Sequence, residues 1–137
     1  MRKLPHKQLT SKLQLSYIGA HFDELCEEAK RTKTSHQDFL IDILSREIEQ
    51  RKEVRIARKL RQAHFPHKKY LQGMDMTEYE IDIQTEIEEL STLDFIGAKE
   101  NVICVGNPGR GKTHLAIALG IAAVMADMRV LFTNVPN

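Results

Sequence analysis

Four residues carry the clearest chemistry. Gly106, Gly111, Lys112 and Thr113 stand at the G-x-x-x-x-G-K-[ST] spacing. That spacing suits phosphate. Glycines let a backbone turn tightly around an anion with no Cβ in the way. The loop amides and the helix N-terminus behind them supply donors. The Lys112 ammonium would reach the β- and γ-phosphates, and the Thr113 hydroxyl would hold Mg²⁺. The candidate phosphate-binding segment is therefore Gly106, Asn107, Pro108, Gly109, Arg110, Gly111, Lys112, Thr113 and His114. Arg110 offers an extra cation to a phosphate or a neighbour, a role the spacing does not require.

Such a loop needs a strand to enter it and a helix to leave it. The apolar run Val102–Val105 predicts the strand, and Lys112 to about Asp127 predicts the helix. The helix is built of small apolar residues, so it must be largely covered. Asp127–Arg129 predicts a turn, and Val130–Thr133 a second strand.

Upstream, the pattern is helical. Thr10 or Ser11 is placed to cap a helix over about Ser11–Lys30, whose Leu15, Ile18, Phe22, Leu25 and Ala29 share one face. Ser35 reads as the N-cap of a second helix, with Asp38 three residues on. This helix runs from His36 to about His64. Its apolar face rotates between Phe39, Leu40, Ile43 and Leu44 and the later set Ile56, Ala57, Leu60 and Ala63. The rotation predicts either a break near Gln50 or burial of the two halves against different partners. Pro66 ends the helix. A link follows, then a third helix over Glu78–Leu90 with Thr77 as its cap and Ile83, Ile87 and Leu90 on its apolar face.

The charge total, +1 over 137 residues, says nothing about partners, but its distribution does. Arg46–Lys69 holds nine Lys/Arg against three Glu, and 73–100 holds nine Asp/Glu against one Lys. Arg51, Arg55 and Arg58 recur at helical spacing, and Lys59, Arg61, Lys68 and Lys69 widen the basic area. A stripe of this kind suits nucleic-acid phosphates without reading bases; the plain alternative is a solvated helix face. The basic start, with Arg2, Lys3, Lys7 and Lys12, divides the same way between a phosphate-touching arm and a solvated tail. Cys26 and Cys104 stand far apart in apolar contexts and read as reduced thiols of a cytoplasmic protein. No run of 18 apolar residues predicts a membrane span, and no Cys/His cluster has metal-ligand spacing.

Three segments together resemble one family: the glycine loop followed by HLAIALG, the RKLRQAHFP segment at 58–66, and STLDFI at 91–96. The family is the ATP-binding transposition helper of bacterial insertion sequences, within the AAA+ ATPases and related to replicative-helicase loaders. The resemblance implies an α/β P-loop nucleotide-binding fold of AAA+ type preceded by a small all-helical N-terminal domain. It implies residues 1–65 as that domain, 66–77 as a linker, and 78–137 as the first part of the ATPase domain. It also implies ATP and Mg²⁺ as cofactors, double-stranded DNA and a transposase as partners, and self-association into oligomers. A replicative helicase is the alternative partner, and a non-enzymatic DNA-binding or oligomerisation module is a further reading. Members continue for roughly another hundred residues, which carry the acidic strand end, the polar sensor and the arginine offered to a neighbour. The resemblance therefore implies a truncated stretch, an incomplete sheet, no complete catalytic set and no hydrolysis.

Overall fold

The structure is a computed structural model describing residues 4–136. Arg2 and Lys3 of the basic start lie outside those residues, as does Asn137. Among the described residues six α-helices follow one another: α1 His6–Lys12, α2 Ser16–Thr32, α3 His36–Gln62, α4 Ile81–Ser91, α5 Asp94–Gly97 and α6 Lys112–Met125. Two 3₁₀ turns, Leu71–Gly73 and Met76–Glu78, lie between α3 and α4. The chain forms two compact units, one ending at Val54 and the other beginning at Arg55.

The expected α/β fold is not what forms. Among the described residues there is no strand and no sheet. An apolar run says that a segment wants cover, but a strand exists only where a second segment meets its N–H and C=O groups. Val102–Val105 meets none, and Ile103 and Val105 are 84% and 91% exposed. Val130–Thr133 makes a single backbone bond, from Phe132 N to Ala63 O at 2.8 Å, and its partner is the end of a helix.

In the first unit the predicted single helix becomes two. Gln14 takes a left-handed conformation (φ 55°), and Leu15 N donates to Thr10 O at 2.8 Å, which closes α1. Thr10 is therefore inside α1, bonded to His6 O, and caps nothing. The restart of α2 is tertiary. Glu47 of α3, 3% exposed, accepts from Ile18 N at 2.9 Å and satisfies a donor of the new first turn. The predicted face does turn inward: Ile18 and Leu25 are buried, and Phe22 stacks on His6 with ring centroids 4.0 Å apart.

Ser35 caps α3 as its pattern predicts, its Oγ accepting from Asp38 N at 3.1 Å. The helix then runs unbroken past Gln50. The rotated apolar face is resolved by the second alternative, since residues to Val54 belong to one unit and Arg55 onward to the other. Leu40 and Leu44, expected inside, are exposed, while Phe39 and Ile43 are half-buried.

The second unit is built around α6. Ile117 and Val124 of α6 are the largest fully buried side chains among the described residues. Ile87 of α4 with Leu115 and Leu119 of α6 forms an apolar cluster, against which Leu71, Met74, Met76 and Tyr79 pack from the two 3₁₀ turns. The expected cap Thr77 is itself inside the second turn, where Asp75 accepts from its amide at 3.0 Å. The Thr77 hydroxyl and that amide bond hold the Asp75 carboxyl below the usual range.

Candidate phosphate-binding site

The candidate segment splits into two parts. Gly106 to Arg110 is an exposed loop, and Gly111 is the N-cap of α6. Gly109 and Gly111 have φ of 82° and 81°, the left-handed region in which a Cβ is strained. Gly111 is a glycine of the motif; Gly109 stands at one of its variable positions, and the motif's first glycine, Gly106, is not left-handed.

Lys112 begins α6. Its ammonium donates to Asn107 O at 2.9 Å and also to Gly106 O, so the cation sits against the first turn of its own loop. The amides of Gly111, Lys112, Thr113 and His114 donate to no acceptor among the described residues. These are the four orphan donors of a helix start, carrying the positive end of its dipole. Four such amides and an ammonium make a donor set that fits a phosphate. Thr113 is exposed in the same first turn, and its hydroxyl has no partner among the described residues, which fits a magnesium ligand. His114 turns the other way, its Nε2–H donating to Tyr70 O at 3.2 Å.

A groove of about 660 Å³ runs from the loop along α4, lined by Tyr79, Ile83, Ile87, Val105, Lys112 and Leu115 among others. Its lining mixes these apolar side chains with Glu78, Glu80 and Glu86, and its volume is within the size range of small-ligand sites. A recess of about 180 Å³ lies beside Gly109, Arg110 and His114, and Tyr79 lines both spaces.

The seven residues of the basic stripe meet different surroundings. Arg55 is bidentate to Asp127, with Nε to Oδ1 at 2.9 Å and an Nη to Oδ2 at 2.7 Å. Lys59 donates to Asp127 Oδ1 at 2.8 Å and to its carbonyl oxygen. Asp127 stands where a helix C-terminus usually has glycine: φ is 69°, Asp127 N donates to Val124 O at 2.8 Å, and Met128 N to Ala123 O at 3.0 Å. The Arg55 bond, then the Lys59 bond, holds its carboxyl well below the carboxylate range. Arg51 belongs to the first unit, donating to Gln14 O at 2.8 Å, and with Lys7 it lines an open groove of about 770 Å³. That groove is larger than the one at the loop but lacks the convergent backbone donors. Arg58, Arg61, Lys68 and Lys69 are exposed and have no ion-pair partner among the described residues.

Tyr79 and Asp127 do not stand out in the sequence. Tyr79 is one aromatic between two glutamates, and its neighbour in the loop is 31 residues away. The signal for Asp127 is an acid closing a long apolar helix in a chain whose Arg46–Lys69 stretch holds nine Lys/Arg against three Glu.

Residues 8–137 match the family described as IstB-like ATP binding protein. The chain is similar to a protein of Pseudomonas aeruginosa named for ATP binding in insertion sequence IS21, 39% identical over 124 residues, which is 90% of this chain and 47% of that protein. It is 31% identical over 121 residues to the corresponding protein of insertion sequence IS5376 from Geobacillus stearothermophilus, covering 88% of this chain and 48% of the relative. An IS21-like counterpart from Bacteroides fragilis is 31% identical over 126 residues, 90% of this chain and 63% of its own length. The chain thus spans about half the length of most of the curated relatives it matches.

Proposed function

The chain belongs to the family of IstB-like ATP-binding proteins, and on that footing we propose that it binds MgATP at Gly106–His114 as an ATP-dependent helper of insertion-sequence transposition. The observation that carries this reading is the donor set at the start of α6: four amides without protein acceptors beside the Lys112 ammonium. Bound nucleotide supplies the negative charge that this set lacks. Lys112 exchanges loop carbonyls for phosphate oxygens, and Thr113 offers its hydroxyl to the metal. No residue is assigned to hydrolysis.

The reading extends to double-stranded DNA, to a transposase and to copies of the same protein as partners. Arg58, Arg61, Lys68 and Lys69 support the DNA part, being exposed and without carboxylate partners among the described residues. Arg55 and Lys59 instead hold Asp127. The names of the relatives support the link to insertion sequences. Among the described residues no helix is long and apolar enough to cross a membrane.

Calorimetry of the 137-residue chain with MgATP and with Lys112→Ala tests the nucleotide site. A charge-assisted bond is worth about 1.5–3 kcal/mol, so the variant should bind roughly 10- to 150-fold more weakly. Undiminished affinity in the variant, or no binding by the parent chain, would end the assignment.

A further inference from the structure

Tyr79 is anchored at both ends. Its amide donates to Met76 O at 3.2 Å, and its carbonyl accepts from Gln84 Nε2 at 2.7 Å. Its ring packs on the Ile87, Leu115 and Leu119 cluster, so the phenol has little freedom. The hydroxyl donates to Arg110 O at 3.2 Å. It also occupies the space over Gly111, where an added Cβ would run into the phenol oxygen. These facts converge on one peptide plane. The Arg110 carbonyl and the Gly111 N–H belong to the same trans peptide and point in opposite directions. Holding the carbonyl therefore fixes the direction of the N–H. Gly111 is also the N-cap of α6, so its amide is the first of the four orphan donors.

We propose that Tyr79 is a positioning residue of the phosphate site, its phenol clamping the Arg110–Gly111 peptide so that the first amide of α6 is aimed before any anion arrives. Preorganised donors hold an anion more tightly than donors that must reorient. Tyr79 reaches the anion only through this peptide. The aromatic ring secures the clamp to the core, and the hydroxyl performs it. The inference rests on the phosphate-binding reading of the loop.

Tyr79→Phe keeps the ring and removes the clamp. Loss of one neutral hydrogen bond predicts MgATP and MgADP binding weakened about three- to tenfold. Gly111→Ala should bind far more weakly, because its Cβ meets the phenol. Adding Tyr79→Phe to Gly111→Ala should restore part of that affinity, since the nearest remaining ring atom is 3.6 Å away. That rescue reports the close approach of the phenol to Gly111; the clamp itself is read from nucleotide affinity in Tyr79→Phe alone. Without nucleotide, the Gly111 amide resonance should move in Tyr79→Phe. Parent-like nucleotide affinity in Tyr79→Phe, or an unmoved Gly111 resonance, overturns the proposal. Lys112→Ala separates the two readings. If it loses binding while Tyr79→Phe does not, only the clamp fails; if the parent chain binds no nucleotide, both fail.

Discussion

Gly120 lies in the middle of α6, where glycine costs about 0.8–1.0 kcal/mol relative to alanine. Replacing it with alanine should therefore stabilise the chain, unless the space is taken. It is taken by Phe65. An added Cβ would stand 2.7 and 2.8 Å from two ring carbons of Phe65, and 3.5 Å from Val130. Carbon atoms pack at about 3.5–4.0 Å, so the ring must retreat by roughly 1 Å. Retreat is opposed by Phe132, whose ring centroid is 6.1 Å from that of Phe65, and by the 2.8 Å bond from Phe132 N to Ala63 O. Overpacking of this kind costs about 1–3 kcal/mol. The net expectation for Gly120→Ala is destabilisation of about 0–2 kcal/mol. In a Phe65→Ala background the ring is gone, and the same change should stabilise by about 1 kcal/mol, the helix-propensity gain. The sign reverses, and the coupling between the sites is about 1–3 kcal/mol. Urea unfolding followed by far-UV circular dichroism measures all four corners of the cycle. Tyrosine fluorescence is a second probe, since the chain has three tyrosines and no tryptophan. A stabilising Gly120→Ala in the parent chain, or equal effects in both backgrounds, would refute the close approach. The pair matters because Phe65 and Gly120 come from two of the three segments that carry the family resemblance. Their packing supplies one physical reason for both.

Three further outcomes are expected. The Asp127 carboxyl is held low by Arg55 and Lys59, so the unfolded chain binds its proton first. The stabilisation is complete above the unfolded value near 4 and is lost as pH falls below it towards the folded value. Asp127→Asn should thus lower the melting temperature at pH 6 and leave a smaller difference at pH 3; equal differences at both would deny the linkage. Glu47→Ala leaves a buried amide at Ile18 without its acceptor, a loss of about 1–3 kcal/mol, and faster hydrogen exchange at Ile18 would register it. Unchanged protection there would mean that α2 starts without help. Arg58→Ala with Arg61→Ala should flatten the salt dependence of DNA binding, alike for all sequences, by about 0.9 in log–log slope for each phosphate that is no longer neutralised. A slope that does not move would take both residues out of the interface.

Much of the local geometry of the candidate segment was legible in the residues alone. The positions that need a left-handed backbone, Gly109 and Gly111, are glycines, and the helix after them begins at Lys112 as its pattern requires. The Ser35 cap and the inward face of α2 follow from residues three and four apart. That the two expected strands do not form was not legible. Val102–Val105 and Val130–Thr133 have strand-like residues, yet neither has a ladder partner among the described residues. The basic stripe was legible as charge but not as role, because nothing near Arg55 in sequence announces that its partner lies 72 residues on.

Residues close in the chain settle among themselves where the backbone must turn left-handed, where a helix can begin, and which of its first amides are left without a helix acceptor. Folding alone settles which cations are already held by Asp127, which carboxylate restarts α2, and which phenol stands over Gly111. Helix period and capping act over a few residues. Ion pairs, clamps and strand pairing depend on segments meeting across dozens of residues, and a linear pattern names the groups without naming their partners.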